Sequence, residues 1–196
     1  MPAEEAPVTS AGPAARTRTG RRRRWRWRRW LIALAVLIVV FLGTTARLFI
    51  WPDQGLPSRV DALVSLDTPG GALGTALRLA EQHRAPNLVI SLGTPMSGYG
   101  CPHPIPGVRL ICFNPDPGTT QGEAQYVGRL ARKYHWRSVA IVTITPQETR
   151  ARLRVERCFN GPVYTLGTRI GLTSWPYQVG YEWGALFKAL FLQRSC

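Results

Sequence analysis

Two regimes of hydrophobic patterning divide the chain. Between Trp30 and Trp51 run twenty residues, LIALAVLIVVFLGTTARLFI, with Arg47 as their only charge. About 20 mostly apolar residues cross the hydrocarbon layer as a helix, so 30–51 is predicted to be a single transmembrane helix. Beyond it the apolar residues fall into short runs alternating with helical periods. The runs VDALVSL, NLVISLG, GVRLICF, SVAIVTI and PVYTLG read as strands. They lack a polar face, as strands buried on both sides do. Between them, Ala72, Leu73, Ala76, Leu77 and Ala80 recur at helical spacing, as do Val127, Leu130, Ala131 and Tyr134. PQETRARLRVERCF reads as a further helix, and YEWGALFKALFLQ as a closing amphipathic one. Strands alternating with helices imply right-handed crossovers and a mostly parallel sheet covered on both faces. The expected fold is therefore a doubly wound α/β domain behind one N-terminal transmembrane helix. The expected divisions are a basic tail 1–29, the span 30–51, a linker 52–59 and the domain 60–196.

Charge refines this picture. The net charge of +14 suits a nucleic-acid binder until it is located. Residues 1–30 hold nine arginines and two glutamates, which is half of the excess in a short tail directly before the apolar run. Such a block is attracted to anionic lipid headgroups and stays cytoplasmic by the positive-inside rule. The partners expected are thus a membrane and no nucleic acid, with the domain outside the cytoplasm. Trp25, Trp27 and Trp30 on one side and Trp51 on the other fit interfacial belts, and Arg47 is near enough to the far end to snorkel. A cleaved signal peptide, with Thr44–Ala46 as the small-residue site, is the competing reading. The Pro/Ala/Thr-rich stretch before the arginines shows no apolar period and is expected to be a disordered tail.

Candidate chemistry sits at strand ends, where open α/β sheets bind ligands. In PDPGTTQGEA, Thr120 and Glu123 have the spacing of a capping box. Thr119 and Gly122 are not needed for that box, and a glycine in the first helical turn is unfavourable against alanine. It permits close approach of a ligand or of another backbone. Free amides at a helix front also favour an anion, so a small phosphate-bearing ligand is the expected occupant. TPQE, 145–148, repeats the device, and Arg150 follows within reach of the same edge. Arg154 and Arg157 read as a solvated helix face. LDTPGGALG places Asp67, Gly70 and Gly71 at a third junction, where Asp67 faces the ligand or caps the next helix. Three such junctions on one sheet edge must lie close together.

The four cysteines show no Cys-x-x-Cys metal spacing. No metal is expected, and no cofactor can be named. An even count outside the cytoplasm points to disulfides. Cys101 and Cys112 flank the long Pro/Gly loop and are expected to pair, leaving Cys158 and Cys196. His83 and His135 read as helix ends. No Ser/His/Asp arrangement has usable spacing.

DALVSL, APNLVISLG, PDPGTTQGEA, SVAIVT and TRARLRVERC, in this order, resemble the YdcF-like family, which includes SanA and ElyC. The resemblance covers roughly residues 60 to 190 and is closest to an actinobacterial membrane-anchored form. It implies a Rossmann-like sheet and a role in envelope, lipid-carrier or peptidoglycan metabolism. Thr120, Glu123, Thr143, Arg150 and Ala151 match its motifs. The chain departs from the pattern at Asp67-Thr68-Pro69, where the family's glycine run begins earlier. It departs again at Ile144 and Gln147, where the family has serine and histidine. A glutamine cannot serve as a general base. Two classes of function follow: a domain that binds or acts on a phosphate-bearing ligand through Asp67, Gly70, Gly71, Thr119, Thr120, Gly122, Glu123, Thr143, Gln147 and Arg150, or a catalytically degenerate envelope interaction module.

Overall fold

A computed structural model of the chain describes residues 19–68, 71–93 and 100–196. It forms two compact units, Met1–Leu42 and Gly43–Cys196. Helix α1 (Thr19–Thr45) starts in the first and ends in the second. The stretch Arg24–Ile50 is long and apolar enough to cross a membrane, and none of its most apolar window is buried. It therefore fits a single span. Trp25, Trp27, Trp30 and Trp51 are all exposed on its flanks.

The second unit is an α/β domain. Its five strands are β1 (Ala62–Ser65), β2 (Asn87–Ser91), β3 (Arg109–Phe113), β4 (Val139–Ile144) and β5 (Val163–Thr168). All pair in parallel, in the order β3-β2-β1-β4-β5. This is a Rossmann-like sheet, with the reversal of winding between β1 and β4. Every residue of β1, β2 and β4 is buried, which is why these strands carry no polar alternation. Side chains still alternate between faces. Leu63, Leu88, Ala140 and Val142 meet α2 (Ala72–Glu81) through Ala72, Ala76 and Ala80. Ala62, Val64 and Ile141 meet α3 (Thr120–Tyr134) and α4 (Glu148–Glu156) through Ala124, Val127, Ala151 and Val155.

The crossover from β2 to β3 carries no helix among its described residues. Ile105 and Val108 cover the sheet there instead, and a Cys101–Cys112 bridge holds the loop to the edge strand with Cα atoms 5.9 Å apart. A second bridge, Cys158–Cys196, ties the C-terminal segment to the end of α4, with Cα atoms 4.9 Å apart. His83 and His135 follow α2 and α3 with left-handed backbones, φ 53° and 55°.

One expectation about a helix face is corrected. Arg154 and Arg157 are not a solvated face. Arg154 donates to the Gln193 carbonyl and side-chain oxygen, and Arg157 to the Ala189 and Gln193 carbonyls. The guanidinium groups thus satisfy carbonyls at the end of the closing helix, which local periodicity does not report. That closing helix is α5 (Trp175–Phe187). It buries Glu182 with Leu186, while Tyr177, Tyr181 and Phe187 are exposed.

Residues 46–60 lie against the domain. Phe49 is fully buried, Gly55 donates its amide to the Thr165 carbonyl, and Thr149 donates to the Leu48 carbonyl. Arg47 pairs with Asp53, holding that carboxyl below its ordinary pKa. Gln54 donates to Glu148, whose side chain is packed onto Gly167: a Cβ there would stand 1.9 Å from Glu148 Oε1. Burial pushes the Glu148 carboxyl up to about 7. Thr165 and Gln54 oppose this only in part, the Thr165 hydroxyl being committed to the Asp53 carbonyl. A raised carboxyl pKa stabilises the fold fully below its unfolded value of about 4.5, and the contribution is lost as pH rises through about 7. Thermal melts between pH 5 and 8 should therefore fall for the wild type. Glu148→Gln should flatten that slope, with a gain on the order of 2 kcal/mol above pH 7. Parallel pH profiles for the two proteins would contradict this account of Glu148.

Candidate functional site

The carboxyl ends of the strands surround a cleft of about 420 Å³. Asp67 and Thr68 enter it from the end of β1, and Gly93 from the end of β2. Pro115, Gly118, Thr119, Thr120 and Glu123 come from the β3–α3 junction, and Ile144, Gln147 and Arg150 from the β4–α4 junction. A further wall is α5, through Tyr177, Gln178, Tyr181 and Glu182. The position follows from topology, since winding reverses between β1 and β4 and leaves a crevice outside their ends.

PDPGTTQGEA is both a helix start and one side of this cleft, but the cap is displaced by one residue and the reciprocal box is not formed. Thr119, not Thr120, is the N-cap. It has an extended backbone (φ −147°, ψ 163°), and its hydroxyl accepts from the Gly122 amide at 3.4 Å. Glu123 does not reach back to the cap. Its carboxylate accepts instead from the Asp67 amide, 3.0 Å away at the end of β1. The Thr120 hydroxyl is thereby left for the cleft, where it accepts from Arg150 Nη1 at 2.6 Å and from Gln147 Nε2 at 3.3 Å. The cap at TPQE is not formed either. The Thr145 hydroxyl donates to the Thr168 carbonyl, and Glu148 turns to Gln54.

Arg150 is the centre of the polar set. Nε and Nη2 donate to the two Glu182 oxygens at 2.7 and 2.8 Å, a bidentate fork. With Nη1 on Thr120, three of the five N–H groups of a guanidinium are placed by the protein. Burial opposes the Arg150 charge, but the Glu182 carboxylate more than offsets this and holds its pKa above the usual value. Burial raises the pKa of Glu123, which the Asp67 amide counters in part, and burial also raises that of Asp67. Gln147 is committed at both ends, with its oxygen accepting from Thr143 at 3.1 Å and its nitrogen donating to Thr120. It positions Thr120 and takes no proton.

Six expected site residues converge here: Asp67, Thr119, Thr120, Glu123, Gln147 and Arg150. Thr143 is fully buried behind Gln147 and acts through it. Gly122 is a correction. A Cβ there would lie 2.0 Å from the Pro117 carbonyl oxygen, so this glycine admits another backbone and does not line the cleft. Gly71 is another: it caps α2 with φ 80°, has open space beside it and stands outside the cleft. Gly70 lies outside the described residues. Gly93 was not anticipated. Its φ of 68° and the Asp67 carboxylate packed on it, 1.6 Å from where a Cβ would be, both require glycine. Glu182 was not anticipated either. Its one signal in the sequence is a lone acid in an otherwise uncharged stretch, WPYQVGYEWGALF.

No protein-family model and no curated protein matches this chain. The class of molecule defined by the fold and the cleft is a Rossmann-like α/β domain preceded by an apolar helix that could span a membrane.

Proposed function

We propose that this is a membrane-anchored, YdcF-like domain that faces the cell envelope and binds a phosphate-bearing ligand, of lipid-carrier or nucleotide-like type, in envelope or peptidoglycan biogenesis. One observation carries the reading. Thr120, Glu123, Thr143 and Arg150, the polar residues matching the family's motifs, lie on three separate elements yet meet at a single strand-end site: Gln147 and Arg150 both donate to Thr120, Thr143 donates to Gln147, and Glu123, one turn along α3, accepts from the Asp67 amide at the end of β1. The front of α3 supplies amides suited to a phosphate, and Arg150 keeps two N–H groups beyond those the protein uses. The Asp67 carboxylate suits ligand hydroxyls. Gln147 in place of a base favours binding over turnover, and this is also the observation behind the second reading, a catalytically degenerate envelope interaction module.

Ligand binding is tested on the full chain in detergent by thermal shift with inorganic phosphate, a nucleoside diphosphate and a polyprenyl phosphate. At a hundredfold excess over Kd a site-specific ligand adds about 2.7 kcal/mol. At least one probe should raise Tm, and Thr120→Val should remove the shift. No shift with any of the three leaves the interaction module as the reading. Orientation is tested separately. In intact cells an impermeant thiol reagent should label Gly55→Cys and spare Ser10→Cys, and labelling at residue 10 would reverse the topology.

A further inference from the structure

We propose that α5 and the turn after it, Lys188–Leu192, are a second membrane contact: an interfacial surface that rests on an anionic bilayer beside the exit of the span. This goes beyond the ligand reading and rests only on the single-span reading.

The closing helix is turned inside out. Its acid is buried, while Tyr177, Tyr181 and Phe187 are out. Tyr177, Tyr181, Lys188 and Phe191 recur at spacings of four, seven and three along one face, with Phe187 beside them, and Tyr177 and Phe191 are 72% and 64% exposed. The rings pair along that face, Tyr177 on Tyr181 and Phe187 on Phe191, with centroids 6.4 and 4.8 Å apart. Leu190 and Leu192 continue the exposed surface, and Leu172 precedes it at 87% exposed. Contiguous apolar surface of this kind marks a contact.

The occupant follows from position and charge. Trp183 of α5 donates through Nε1 to the Thr45 hydroxyl at 3.2 Å, and its ring stands edge-on to buried Phe49, with centroids 5.3 Å apart. Thr45 and Phe49 belong to the last turns of the apolar stretch Arg24–Ile50. The helix is thereby fastened at the level where that stretch leaves the hydrocarbon. Phe187 and Leu190 follow Trp183 by one and two turns on the same flank. The charge pattern agrees: Glu182 is the sole acid after Glu156 in the sequence and is buried against Arg150, while Arg169, Lys188 and Arg194 are exposed. Aromatic and aliphatic side chains with cations and no exposed acid are the composition of a helix lying in an anionic interface. A second copy docking on Gly180 and Gly184, which have open space beside them, is the competing occupant. Because α5 also walls the cleft, this contact sets the cleft mouth beside the lipid headgroups.

The test uses the full chain reconstituted in vesicles containing phosphatidylglycerol. A fluorophore is attached at Phe191→Cys, at Val36→Cys in the span, and at Arg132→Cys, an exposed position of α3; the four native cysteines are disulfide-bonded. Lipid-borne nitroxides placed near the headgroup or at mid-chain report depth. An interfacial helix sits about 5–10 Å into the headgroup and acyl boundary. The label at 191 should lose most of its emission to the shallow nitroxide and little to the deep one. The label at 36 should show the reverse, and that at 132 should lose none. Quenching at 36 without quenching at 191 overturns the proposal while the span stands. A label at 191 shielded from an aqueous quencher yet unaffected by lipid nitroxide also overturns it, in favour of a second chain. Failure at 36 removes the span itself.

Discussion

Arg150→Ala is expected to destabilise the domain by about 3–5 kcal/mol, the cost of leaving one partner of a buried ion pair alone. Glu182 is 1% exposed and would be left without the cation that now pairs with it. The loss is not confined to the pair. Arg150 also donates to Thr120, which holds Gln147, which holds Thr143. Removing the guanidinium therefore loosens the α3–α4 junction and the α5 wall of the cleft together. Arg150→Lys retains the charge but not the planar fork, so it should be intermediate in stability. Replacing Arg150 and Glu182 together with methionine should cost much less than either single change, because no charge is then buried unpaired. Urea unfolding of the full chain in detergent, followed by circular dichroism, measures all three. A single-mutant loss below about 1 kcal/mol, the range of exposed pairs, would show that Arg150 and Glu182 are not a buried unit.

Removing the Cys158–Cys196 bridge as the double serine variant should cost about 4 kcal/mol. The two cysteines are 38 residues apart, and the cost of closing a loop in the unfolded chain grows with its length. The corresponding figure for Cys101–Cys112, separated by 11, is about 3 kcal/mol. The distal bridge also keeps Gln193 and Ala189 over Arg154 and Arg157. Without it the buried Arg154 and half-buried Arg157 guanidinium groups lose the carbonyls that satisfy them. A fall in Tm of about 10 °C is expected for a domain of this size. It should be larger than that for the Cys101/Cys112 double serine variant. The reverse order, or no fall in Tm, would mean that the terminal segment is not fastened as described. Mass spectrometry of a non-reduced digest should find both linked peptide pairs in exported protein.

Periodicity made much of the fold legible before any coordinates. β1, β2 and β4 carry apolar runs because both faces are covered, and α2 and α3 show one apolar stripe because one face is. The alternation of the two left a parallel sheet as the arrangement that buries all of them. The cleft's location was legible for the same reason, since strand-to-helix junctions in such a sheet share one edge. The pairing of Cys101 with Cys112 was readable from their place at the two ends of one loop.

What periodicity reports is burial and local hydrogen bonding, and the details of the site are neither. Thr119 and Thr120 are adjacent and chemically alike. Only the extended backbone at 119 makes it the cap and frees the Thr120 hydroxyl for Arg150. Glu123 has the spacing of a capping residue, yet its carboxylate meets the Asp67 amide 56 residues away because α3 packs against β1. Gly122 is crowded by Pro117 only once the preceding loop folds back over the helix front. Glu182 lies 32 residues from Arg150, and no local pattern couples them. The inverted face of α5 has the same origin. Glu182 turns inward because the Arg150 guanidinium is there to receive it, so the sequence by itself determined that α5 is a helix, and the packing of α4 beneath it decided which side faces out.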